Sequence, residues 1–190
     1  MKLNHVMFLI VSLSQTAFAD QPLTRTTGAT APVTGQRLSA PAVQGGSFKG
    51  MFELSPAGSF TVTSSKVTQN LVRMSDGSFQ ASSIEIPVLT LTTSNALRDD
   101  HMKNKYLEAR KFPKATLTQL KAKDRKFEGI LNLHGVQRKI AGEYELENNT
   151  VKAKFPLNLK DYSINVPTYL GVGVEEEANI EVSLPFTKSH

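Results

Sequence analysis

Four histidines, no cysteine and the adjacent pair Asp99-Asp100 limit the chemistry open to this 190-residue chain. His101 and His134, with Asp99 or Asp100, have the makings of a metal site built on two imidazoles and a carboxylate. The HxH and HExxH spacings that place ligands side by side are absent, however. A histidine hydrogen-bonded so as to orient a crossover segment accounts for the same residues. Without cysteine there are no disulfides, thiolate-bound zinc, iron–sulfur clusters or thiol catalysis. A Ser-His-Asp hydrolase is disfavoured because no G-x-S-x-G elbow occurs. Gly171-Val172-Gly173 lacks the helix and the following Lys of a phosphate cradle, so it reads as a turn or bulge. The residues therefore predict a non-enzyme that needs no metal or cofactor.

Charge is modest overall and uneven locally. Lys and Arg total 22 against 17 Asp and Glu, a formal charge of +5. Residues 98–126 hold ten cations and four acids, whereas 143–181 hold three Lys and eight acids. The basic stretch suits a solvated face, an attraction to anionic lipid headgroups or a diphosphate, or a nucleic acid. Aromatic stacking platforms among it are sparse, with only Tyr106, Phe112 and Phe127, which argues against nucleic acid. The Glu175-Glu176-Glu177 run reads as a solvated loop.

The elements that must position these residues are mostly strands. Val151, Ala153, Phe155, Leu157 and Leu159 fall at every second position between polar neighbours. The same period of two recurs at Ile180, Val182, Leu184 and Phe186; at Phe127, Gly129, Leu131 and Leu133; and at Ile140, Gly142, Tyr144 and Leu146. Such alternation means a strand with one buried face. Asn148-Asn149 and Gly135-Val136 punctuate these strands. Weaker strands are expected at Phe48–Leu54, Phe60–Thr68, Leu71–Ala81 around Asp76-Gly77, and Ile84–Thr93. Helical signals are confined to Asn95–Arg110, where Thr93, Ser94 or Asn95 can cap, and Pro113 stops the run. About eight antiparallel strands with one apolar face either close into a barrel or pair as two sheets.

Ahead of the strands lie two segments of other character. In residues 1–19, Lys2, the apolar run Val6 to Leu13 and Ala17-Phe18-Ala19 form the pattern of a secretory signal peptide cleaved after Ala19. That predicts a periplasmic or secreted protein with no membrane span. Residues 20–46 are rich in Pro, Gly, Ser and Thr and read as a flexible leader. The folded domain is expected over 47–188.

The run LRDDHMKNKYLEARKFPKATL, Leu97 to Leu117, resembles the helical crossover and following strand of the YceI-like polyisoprenoid-binding family. Gly129-Ile130-Leu131-Asn132-Leu133-His134-Gly135-Val136 is similar to that family's G-x-L-T-L-x-G-V signature. The resemblance covers roughly residues 48–187. It implies an antiparallel, eight-stranded, lipocalin-like barrel with one short helical crossover, exported to the periplasm. It further implies an isoprenoid-type lipid or quinone-like amphiphile held inside, with at most transient membrane-surface contact, and no catalytic residue. The alternative is a ligand-free β-sandwich scaffold for envelope proteins; a dimer is compatible with either. The candidate tunnel lining is the inward set Ile84, Ile86, Phe127, Leu131, Leu133, Tyr144, Phe155, Leu157, Leu159, Ile180, Val182 and Leu184. Arg98, Asp100, His101, Met102 and Tyr106 belong to the crossover, which would plug the barrel end or gate it.

Overall fold

The computed structural model describes residues 42–166, 168–169 and 172–189. The signal peptide, the leader up to residue 41, Gly171 and His190 lie outside the described residues. The described residues all belong to one compact unit.

Eight long strands carry that unit. They are β1 (Ser47–Ser55), β2 (Ser59–Ser64), β3 (Phe79–Pro87) and β4 (Lys114–Lys123). Then follow β5 (Lys126–Leu133), β6 (Val136–Glu147), β7 (Thr150–Asn158) and β8 (Val172–Pro185). They form one sheet in the order β3-β4-β5-β6-β7-β8-β1-β2 rather than the two sheets of a sandwich. Five two-residue strands bring the total among the described residues to thirteen. One of them, Val43–Gln44, pairs with Thr68–Gln69, so ordered pairing begins inside the stretch read as leader. Thr187–Lys188 runs parallel to Val72–Arg73.

The sheet curls until its edges meet at a seam. There Thr63 of β2 and Thr92 exchange backbone hydrogen bonds of 2.8 and 2.9 Å. Beside them the Ser64 and Thr90 hydroxyls lie 2.7 Å apart, hydrogen-bonded. The result is barrel-like, as expected, but the closing ladder is a single bridge.

Alternation places β5 to β8 as the period of two predicts. Leu146 departs from it: it shares the face of Tyr144 yet is 48% exposed. Phe127 and Phe155 pack edge to face with centroids 5.7 Å apart. Gly142 makes room for them, since a Cβ there would stand 2.3 Å from the Lys154 carbonyl and 2.7 Å from Phe127.

The earlier strands differ from expectation. Leu71–Ala81 and Ile84–Thr93 are not two long strands. Val72–Arg73 is short, Asp76 closes a turn by accepting the Ser78 amide and hydroxyl, and β3 runs unbroken through Ser82-Ser83. Asn70 explains the continuity, because its Oδ1 accepts both the Ser82 and Ser83 amides in place of a ladder partner. Beyond β3 the chain forms a 3-10 turn, Val88–Thr90. Phe60–Thr68 likewise breaks after Ser64, whose hydroxyl accepts the Lys66 amide. The Glu175–Glu177 run is not a loop but a bulge inside β8: the register against β1 shifts between Val174 and Ala178.

One interruption has a clear chemical cause. β6 and β7 pair from the Glu147–Thr150 hairpin end only as far as Glu143–Lys154. Counting in twos from the hairpin, the next hydrogen-bonded pair would join Ala141 to Pro156. Proline has no N–H to give, so the ladder stops. β7 continues with β8 alone while β6 stays with β5, and a split opens between them.

Candidate functional site

The inner face of the sheet encloses an apolar cavity of about 120 Å³. Apolar cavities of about this size stay dry and admit small hydrocarbons. Its lining on β3 runs from Phe79 to Ile86, seven residue steps or about 23 Å of strand at roughly 3.3 Å per residue. So long and so small, it is a slot rather than a chamber. Of the twelve inward positions read from alternation, eleven border it: Ile84, Ile86, Phe127, Leu131, Leu133, Tyr144, Phe155, Leu157, Ile180, Val182 and Leu184. Leu159 does not, because the chain has left β7 for a 3-10 turn, Leu159–Tyr162, that buries it elsewhere in the core. Sequence reading missed Phe79, hidden by the misplaced strand, and Val88 and Leu91, which lie beyond the period of two. Leu117 and Leu120 escaped because a bulge with Gln119 at positive φ separates them.

The crossover lies at the end of the cavity where Val88 and Leu91 line it. It is α1 (Ala96–Asp100), capped by Asn95 Oδ1 accepting the Arg98 amide at 3.0 Å, then a π-helical stretch, His101–Tyr106. The wider turn separates Met102 and Tyr106, which an α-helix would stack. Met102 joins Val62, Val88, Leu91 and Ala109 in a small second cluster, while Tyr106 packs on the main core. Arg98 lies over the Phe60 ring at 4.5 Å. Asp100 is exposed and accepts from the Asn104 amide, and His101 is exposed.

Two polar fastenings hold the crossover. Asp99 accepts the Thr92 hydroxyl at 2.7 Å and the Thr93 amide and hydroxyl, each at 2.6 Å. Desolvation, the largest single influence, pushes its carboxyl up. The Thr93 and Thr92 bonds with the Lys103 ammonium outweigh this and hold it below the usual carboxylate range. The second fastening is His134, in the turn between β5 and β6. Its Nδ1 lies 3.1 Å from the Tyr162 carbonyl oxygen and its Nε2 2.8 Å from the Glu108 carboxylate, both within hydrogen-bond distance. Phe112 packs edge-on against the ring at 4.6 Å, over Gly135, where a Cβ would stand 2.5 Å from Phe112. His134 thus orients the crossover and does not meet His101. Among the described residues no three His, Asp or Glu side chains gather as metal ligands.

A curled antiparallel sheet with a slender apolar core and a helical crossover over one end is the architecture of small barrel-like binding domains. The family model for the YceI-like domain matches residues 30–186, and the chain belongs to that family. Among solved structures the chain is similar to Burkholderia cenocepacia BcnA, at 13% identity and TM-score 0.57, covering 73% of this chain and 94% of that one. It is also similar to a polyisoprenoid binding domain from Saccharophagus degradans implicated in plant cell wall breakdown, at 13% identity and TM-score 0.53, covering 73% and 91%. A mutant Campylobacter jejuni YCEI protein matches at 17% identity and TM-score 0.50, covering 65% and 83%. No curated protein sequence matches.

Proposed function

We propose that this protein is an exported binding protein that takes the tail of an isoprenoid-type lipid into its slot and performs no reaction on it. The carrying observation is an apolar slot that β3 borders at Phe79, Ile84 and Ile86. The Saccharophagus degradans domain, with the same fold, is described as polyisoprenoid binding. Each buried methylene contributes about 0.8 kcal/mol, so ten carbons supply about 8 kcal/mol, from which the cost of association is drawn. Export rests on the signal-peptide pattern of residues 1–19.

Loading requires contact with a membrane, and the crossover end suits it. Leu89 and Leu97 are 64% and 68% exposed. Arg98, Lys105, Arg110 and Lys111 stand in the same segment with no carboxylate partner among the described residues.

Solvent extraction of the purified protein followed by mass spectrometry tests the reading, with Val182→Phe alongside. Val182 borders the slot. The parent is expected to release an isoprenoid-type lipid. The variant should melt within a few degrees of the parent and retain much less lipid. A filled core would instead lose about 1–3 kcal/mol to overpacking. That loss, with a parent that never carries lipid, would favour a scaffold.

A further inference from the structure

Where β6 and β7 part, a polar cleft of about 260 Å³ opens on the outer side. Ile140 and Leu157 border both this cleft and the apolar slot. The flanking β5–β6 and β7–β8 ladders run on past this level, whereas here Pro156 interrupts the β6–β7 ladder. The cleft is furnished with donors. Arg138 Nε donates to the Asp161 carbonyl at 3.3 Å, and no carboxylate among the described residues pairs with its terminal nitrogens. Asn158 uses Oδ1 to cap the Lys160 amide, leaving its amide nitrogen as a donor. Burial, then the Asp161 charge, pushes the Tyr162 phenol up against the opposing pull of Arg138, so it stays a neutral O–H. Lys139 adds a second cation, engaged with Glu128 at 2.7 Å, and Asp161 contributes the one carboxylate.

We propose that the split between β6 and β7 is a lateral headgroup site, binding the phosphate or diphosphate ester of a lipid whose tail passes between Ile140 and Leu157 into the slot. This rests on the tail-binding reading above and adds to it the place and chemistry of the head. A guanidinium with both terminal nitrogens available offers a phosphate two parallel hydrogen bonds, which an ammonium cannot. The Leu159–Tyr162 turn bounds the cleft, and the Tyr162 carbonyl is the one His134 holds. The headgroup site and the crossover therefore share one fastening.

The test is calorimetric titration of the full chain with farnesyl diphosphate and with farnesol. The wild type is expected to bind the diphosphate at least tenfold more tightly. Arg138→Gln should bring the ratio of the two affinities near one, and Arg138→Lys should leave it intermediate. The crossover double variant Lys105→Gln/Lys111→Gln should keep it within twofold of wild type. A ratio that survives Arg138→Gln, or collapses in the crossover variant, overturns the lateral site. Farnesol binding without any diphosphate preference in the wild type overturns it too, while leaving tail binding intact. A wild type that binds neither compound overturns the tail-binding reading, and the lateral site with it.

Discussion

Asp99 and His134 do by hydrogen bonding what they were first weighed for as ligands. A histidine orienting the crossover was among the sequence readings, but the partners of neither residue were visible from spacing. Glu108 and Tyr162 lie 26 and 28 residues from His134, and only the curl of the sheet brings all three together. Asp99 lends itself to a signed prediction. Its folded carboxyl titrates below its unfolded value, so the stability it confers is present above about pH 4 and is lost as pH falls through the folded value. Asp99→Ala should cost about 2 kcal/mol at neutral pH, the worth of hydrogen bonds to a charged acceptor. Thermal melts of the two proteins from pH 7 downward should converge as the wild type protonates. A gap independent of pH would mean that lost packing, not the carboxylate, explains the cost.

At the scale of elements, β5 to β8 were legible because one face is buried and the other wet, and period two follows. β3 was not, because Ser82-Ser83 carries the polarity of a break while the Asn70 side chain supplies the missing partner. Nor was the π-helical turn, since hydrophobic spacing alone does not tell it from an α-helix over one turn. Register on β7 can be checked by paired substitutions. Leu157 is 8% exposed and borders the slot, so Leu157→Asp should destabilise by several kcal/mol or prevent folding. Asn158→Asp keeps the oxygen that caps Lys160 and should shift stability by only about 0.5 kcal/mol. Equal effects in denaturant titrations would place the strand one residue out of register. Gly142→Ala, whose new methyl meets backbone as well as the Phe127 ring, should cost several kcal/mol or yield insoluble protein.

For the molecule as a whole, the slot was legible as a set of residues but not as a shape. Alternation says which side chains point inward and nothing of the space left among them. The crossover end can be examined by flotation with vesicles of 30% phosphatidylglycerol in phosphatidylcholine. The wild type should float with them at low salt and release as salt rises, because surface charge is screened over about 10 Å at 0.1 M. Leu89→Ser/Leu97→Ser should remain at the bottom of the gradient, whereas Leu146→Ser, at the other end of the sheet, should float as the wild type does. Equal behaviour of all three would place membrane contact elsewhere. The order of the strands carries a kinetic consequence as well. β1 completes its pairing only against β8, so a strand near residue 50 waits for one near 180. Closing so long a loop precedes any contact that rewards it, which slows folding. Before β8 is made, β1 and β2 can form a hairpin joined to the rest of the sheet only at the Thr63–Thr92 bridge. The sheet therefore stays unclosed along β1 until the last long strand is available. Pulse-labelled hydrogen exchange during refolding should find the β1 and β8 amides protected together, and last.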